Sequence, residues 1–254
     1  MSQVKTVLKK LAPRKMLELR RKVAIARVRR SFGPLSRQQA FSETYREKLW
    51  GEDPTSPWSS GSGSVGAAAD AYLGYLSSFI RENKVSSVVD LGCGDFKVGR
   101  AIAEKVSRYT GVDIVPDLVT WLQRNFQSPS TSFCCLDIVN DELPPGDLCL
   151  IRQVLQHLSN AEIEGVISKL ASYKHVLVTE HYPCPNRLLA HNKDKPHGPD
   201  TRVVDGSAVF LDKPPFGLTG VLEVHRVRVN SPQVDTGETL RTFLLQSHEN
   251  SAER

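Results

Sequence analysis

Residues 86–99 read SSVVDLGCGDFKVG. Val88, Val89 and Leu91 form a short apolar run rich in β-branched residues, bounded by glycines, which suits a strand buried on both faces of a parallel sheet. Gly92 and Gly94 let the backbone turn sharply and approach a ligand closely. From Val98 onward, Ile102 and Val106 recur at helical spacing, so the order is strand, glycine turn, helix. That order belongs to one half of a nucleotide-binding α/β unit, with backbone N–H groups gathered where the helix begins.

The pattern of glycines narrows the ligand. A dinucleotide fingerprint needs a third glycine, and Lys97 stands in its place. An acid, Asp90, lies at the strand end instead, so carboxylates rather than a full set of glycines face the ligand. This D-L-G-C-G-D segment resembles motif I of the class I S-adenosylmethionine-dependent methyltransferases, whose ligand carries a sulfonium and an amino group in place of a pyrophosphate.

The rest of the chain continues the alternation. Tyr109 to Ile114 reads as a second strand carrying Asp113, about twenty residues past the glycine turn, the spacing at which a carboxylate binds ribose hydroxyls. Pro116 opens a helix with Leu118, Trp121, Leu122 and Phe126 on its buried face. A third strand, Thr131 to Leu136, is followed by Asp137 and Ile138, and its adjacent Cys134 and Cys135 are expected in the core. Asp147 to Gln153 is the fourth strand, and Ser159 to Glu162 is a capping box opening the next helix. Arg152 to His157 therefore leave a central strand at its carboxyl end, where ligands sit in open α/β sheets. His175 to Thr179 is the fifth strand. Pro183 to Gly217 is a long irregular stretch of the kind that is functional or disordered. Val221 to Val229 and Thr239 to Gln246 alternate like an antiparallel pair.

The expected fold is thus α/β: a Rossmann-like seven-stranded class I methyltransferase sheet with helices on both faces and a terminal antiparallel hairpin. The resemblance covers roughly residues 60–247. WGED at 50–53, SGSGS at 60–64, LGCGDF at 91–96, GVDIV at 111–115, HLS at 157–159 and NKDKPHGPDTR at 192–202 are similar to segments of small bacterial methyltransferases often found with glycan or secondary-metabolite genes. It implies S-adenosyl-L-methionine as cofactor. Asp90, Gly92, Cys93 and Gly94 would line its methionine part, Asp113 and Ile114 its ribose, Asp137 and Ile138 its adenine, with Arg152 and Gln153 at the exit of the fourth strand. Gly61 to Ser64 would close on the carboxylate end.

Methyl transfer needs little beyond an in-line nucleophile, but a hydroxyl acceptor also needs a base. Histidine suits that task near neutral pH. Of seven histidines, His157, His181 and His197 fall where the active site should be, each weighed against a purely structural role. The expected activity is O-methylation of a small molecule or glycan. An RNA methyltransferase and a non-catalytic cofactor-binding scaffold stay open as alternatives, although no Asn or Asp followed by Pro-Pro-Tyr or Pro-Pro-Phe, as in base-amine methyltransferases, follows the fourth strand, which makes nucleic acid the lesser expectation.

Five cysteines with no C-x-x-C argue for a reducing compartment and against a disulfide framework or a zinc site, so no metal and a cytoplasmic location are expected. Charge is uneven: residues 1–31 hold eleven Lys and Arg and one acid, Glu18, out of 33 basic and 28 acidic residues in the chain. The remainder is therefore acidic, with 22 basic against 27 acidic residues. Val4, Val7, Leu8 and Leu11, continued by Leu17, Val23 and Val28, give the basic segment a broken apolar face, which allows it to lie on an anionic membrane surface. Four regions follow: a basic extension over 1–40; N-terminal helices and a Gly/Ser-rich lid over 41–85, with one helix expected from Phe41 to Trp50; the methyltransferase domain over 86–247; and a tail over 248–254.

Overall fold

In the computed structural model, residues 22–231 and 234–246 are described. The amphipathic stretch around Val4 to Leu17 and the tail at 248–254 lie outside them. Residues 22–32 are helical. The helices that follow are α1 (Arg37–Arg46), α2 (Ala67–Glu82), α3 (Lys97–Ala103), α4 (Pro116–Phe126) and α5 (Asn160–Ile167). The strands are β1 (Ser87–Leu91), β2 (Arg108–Asp113), β3 (Thr131–Cys135), β4 (Leu148–Arg152), β5 (His175–Tyr182), β6 (Val221–Ser231) and β7 (Val234–Leu245).

All seven strands form one sheet in the order β3-β2-β1-β4-β5-β7-β6. The first five are parallel; β7 runs antiparallel between β5 and β6. Side chains of the central strands alternate between two cores, as the period of a strand requires. Val88, Leu148, Leu150 and Leu177 pack with Leu76 and Phe79 of α2, Ile102 of α3 and Leu118 and Leu122 of α4. Val89, Leu91, Cys149, Ile151, Val176 and Val178 pack on the other face with Ile163 and Val166 of α5 and Val209 and Leu211 of the long loop. Each fully buried Leu or Ile contributes about 1.5–3 kcal/mol, so the sheet's carboxyl edge rests on a stiff base.

Three expectations need correction. The helix expected at Phe41 to Trp50 starts earlier and stops sooner, over Arg37–Arg46: Ser36 and Gln39 form a reciprocal capping box, and Lys48 adopts φ 52° just beyond the helix end. β5 runs three residues past Thr179, because Glu180, His181 and Tyr182 pair with Arg241, Leu240 and Thr239 of β7. Cys134 is only partly buried and Cys135 is exposed, because β3 is an edge strand with β2 as its neighbour.

Candidate active site

The carboxyl ends of β1, β2 and β4 open into a cavity of about 330 Å³, within the range of small-molecule sites. Its floor is the glycine turn. Gly92 and Gly94 have φ 76° and 55°, and a Cβ on either would overlap Val154 or the Ser60 hydroxyl. Both demands exclude other residues. The turn is pinned by Asp113, whose carboxylate accepts from Gly94 N and Val115 N at 3.1 Å each. Burial pushes the Asp113 carboxyl up to about 6, against the pull of those two N–H groups. Asp90, also raised to about 6 by burial, accepts from the Tyr109 hydroxyl at 2.7 Å. Both are predominantly ionised at neutral pH, so the floor attracts cationic groups.

The roof is the Gly/Ser-rich segment. Ser60 N donates to Asp95 Oδ2 at 3.0 Å, Asp95 N donates back to Ser60 Oγ at 2.8 Å, and Tyr45 Oη lies 2.9 Å from the same hydroxyl. Lys97, standing where a third glycine would be, pairs with Asp53 at 2.5 Å and Asp95 at 3.3 Å. The Gly/Ser-rich segment is therefore fastened over the glycine turn. Ser60 to Ser64 line the cavity.

All ten positions expected for the cofactor line this one cavity: Asp90, Gly92, Cys93, Gly94, Asp113, Ile114, Asp137, Ile138, Arg152 and Gln153. Asp137 is also held by Arg37 of α1, whose Nε stands 3.1 Å from Oδ1 and whose Nη2 stands 2.5 Å from Oδ2.

The three histidines part company. His157 lines the cavity, with Trp50 and Phe41 against its ring at centroid distances of 5.1 and 6.4 Å. Its Nδ1 faces Gly198 O at 3.2 Å, so the neutral ring carries its proton there, and Nε2 is left as an acceptor 3.5 Å from the Gln156 amide nitrogen. Burial pushes it down to about 4. His181 also lines the cavity, with Nε2 3.1 Å from Glu238 on β7, and burial lowers it too. His197 is not among the lining residues. Its Nδ1 meets Glu162 at 2.7 Å and its Nε2 meets Leu35 O at 2.8 Å, so both nitrogens brace the entry to α1.

Sequence reasoning missed Glu180, buried at the β5 end. Its carboxylate accepts from Val154 N, Leu155 N and Gln156 N at 3.1, 2.8 and 3.2 Å, holding the short turn that ends in His157. Also missed were the cavity residues Trp50 and Phe41 from the N-terminal segment and Tyr72 of α2. Among the described residues, no cluster of His, Cys, Asp or Glu could hold a metal ion, and no helix is long and apolar enough to cross a membrane.

Residues 88–174, which run from β1 to the threshold of β5, match the family described as methyltransferase domain. That stretch matches a methyltransferase domain, and the sheet it belongs to has the class I methyltransferase fold. No curated protein matches its sequence. The domain is similar to the N-methyltransferase NodS from Bradyrhizobium japonicum WM9 in complex with S-adenosyl-L-homocysteine, at 16% identity and a TM-score of 0.55, over 81% of this chain and 98% of that one. It is likewise similar to an S-adenosylmethionine-dependent methyltransferase from Leishmania major, at 16% identity and a TM-score of 0.50, over 70% and 72% of the two chains. At such identities the likeness is one of fold.

Proposed function

We propose that this methyltransferase uses S-adenosyl-L-methionine to methylate an oxygen of a small molecule or glycan, with His157 as the base. The observation that carries the reading is a neutral, buried imidazole that lines the same cavity as the glycine turn and its carboxylates. When bound, the cofactor supplies an electrophilic methyl group on a sulfonium. The protein's part is placement: Asp113 takes the ribose hydroxyls, Asp90 and Asp95 face the cationic end, and the roof from Ser60 to Ser64 excludes water. Trp50 and Phe41 flank the acceptor side and hold the His157 ring, whose Nε2 would take the proton of an acceptor hydroxyl. His181, at the end of β5, faces the same space and orients the acceptor.

Calorimetric titration with S-adenosylmethionine, S-adenosylhomocysteine and NAD tests the cofactor. The first two are expected to bind and NAD is not; preference for NAD would sink the reading. Asp113→Ala should weaken cofactor binding by about 1–3 kcal/mol, roughly 5- to 150-fold, through lost charged hydrogen bonds. Unchanged affinity would remove Asp113 from the ribose. Turnover is then followed as S-adenosylhomocysteine released with panels of hydroxyl, amine and carboxylate acceptors. On a hydroxyl acceptor, His157→Gln should slow turnover by about 10²- to 10⁴-fold while leaving cofactor affinity intact. Full activity in that variant would exclude His157 as the base.

A further inference from the structure

Residues 195–200, KPHGPD, lie in the long loop between β5 and β6, and the proposed reaction uses none of their side chains. Their backbone nonetheless holds the acceptor side of the cavity. Gly198 clasps His157 twice: its N–H donates to His157 O at 3.0 Å, and its carbonyl takes the Nδ1 proton at 3.2 Å. Pro199 O accepts from Trp50 Nε1 at 3.1 Å, and the Trp50 ring lies 5.1 Å from the His157 ring. One short strap therefore sets both the tautomer of His157 and the place of Trp50.

The strap is anchored by Asp200. Its Oδ2 accepts from Arg29 Nε and Nη2 at 3.0 and 2.8 Å, and Lys195 Nζ stands 3.6 Å from its Oδ1. The same Lys195 amine, on a side chain without solvent exposure, reaches back to His157 O at 3.5 Å. The Asp200 and Arg29 side chains are only 10% and 21% exposed, so solvent screens these charge-assisted bonds little. The backbone between anchor and ring is stiff. Peptide planes are fixed and Pro199 locks its own φ, which leaves one free backbone torsion between the Gly198 carbonyl and the Asp200 Cα. A shift of Asp200 is thus passed to the atom that holds the His157 proton. Arg29 belongs to the helical residues 22–32, 171 positions earlier in the chain. The N-terminal helix is in this way tied to the ring.

We propose that Asp200, clamped by Arg29 and Lys195, is the positioning residue for His157: it fixes the ring proton on Nδ1, so that Nε2 is left as the base. Arg29 makes the N-terminal helix part of that device. The catalytic meaning rests on the reading of His157 as the base, whereas the state of the ring rests on the strap alone.

The test is nitrogen-15 spectroscopy of the histidine rings in the labelled full chain at neutral pH, joined to turnover of a hydroxyl acceptor and titration with S-adenosylhomocysteine. Wild type is compared with Asp200→Ala, Arg29→Gln and Asp205→Asn, and the His157 signals are those missing from His157→Gln. In wild type the ring proton is expected on Nδ1. In Asp200→Ala it redistributes toward Nε2 and turnover falls at least about tenfold, while S-adenosylhomocysteine affinity stays as in wild type. Arg29→Gln should move both readouts the same way, and it decides the matter should Asp200→Ala not fold. Asp205→Asn takes a second carboxylate from Arg29 but leaves the strap its anchor, so both readouts should match wild type. A wild-type ring protonated on Nε2, a ring unshifted in Asp200→Ala and Arg29→Gln, or an equal shift in Asp205→Asn would overturn the proposal. If the ring shifts as expected but His157→Gln keeps full turnover, the base assignment fails instead, and Asp200 still sets the ring.

Discussion

Glu180→Ala is expected to cost about 3–5 kcal/mol of folding free energy, more than any single contact in the cavity wall. The carboxylate it removes takes three consecutive buried backbone N–H groups, from Val154, Leu155 and Gln156. A buried donor left without a partner costs about 1–3 kcal/mol. Removing the acid returns part of that, since burial raises the Glu180 carboxyl despite the three N–H groups favouring its ionised form. For a chain of 254 residues the net loss corresponds to a melting point roughly 6–20 °C lower. Glu180→Gln should be intermediate, because its amide keeps one acceptor and turns a donor toward the turn. The turn leads to His157, so both variants should lose turnover more than cofactor affinity. A melting point within about 2 °C of wild type in Glu180→Ala would mean that water replaces the carboxylate and that the turn stands without it.

The legible part of the fold was local. Alternating apolar runs, glycines after β1 and acids at the strand ends are written within a few residues of one another, and their physics acts over the same distance. So the five strands in succession, the glycine turn and the acids at 90, 113 and 137 could be read directly, and the cavity gathers the turn and the acids. What escaped depends on partners far along the chain. Glu180 caps a turn that lies about 25 residues earlier, and Arg37 reaches Asp137 across 100 residues. His197 reads like a candidate base by composition of its loop, and only the approach of Leu35 and Glu162 shows both its nitrogens in use. The edge position of β3, which exposes Cys135, follows from sheet order rather than from its own residues. The roof over the glycine turn was ambiguous for a related reason: Ser- and Gly-rich composition describes chain entropy, whereas the bonds of Ser60 to Asp95 and of Lys97 to Asp53 depend on the fold.

His157 makes the stability of the protein pH-dependent in a direction that separates it from the acids around it. Folding holds its imidazole near 4, against about 6.5 in the unfolded chain, because burial disfavours the charged ring. Between those two values the unfolded chain binds a proton that the folded protein refuses. Stability from this group is therefore complete above about pH 6.5 and is lost as pH falls toward 4, by at most about 3 kcal/mol. Asp90 and Asp113 act the other way. Their folded values near 6 lie above the ordinary carboxylate range, so the folded protein takes protons first and gains stability as pH falls through the same interval. Wild type alone would show a muted profile in which these opposite contributions overlap. The comparison with His157→Gln removes the overlap, since both proteins keep both aspartates. Denaturant unfolding at intervals from pH 7.5 to 4 should show the stability of wild type relative to His157→Gln shrinking by about 3 kcal/mol. A difference that stays constant across that range would mean that the ring titrates alike in both states and is not held neutral by burial. The same neutrality governs its proposed chemistry. A ring that refuses protons down to about pH 4 keeps Nε2 unprotonated at every physiological pH, so acceptor turnover should show no acid limb from His157 above about pH 5.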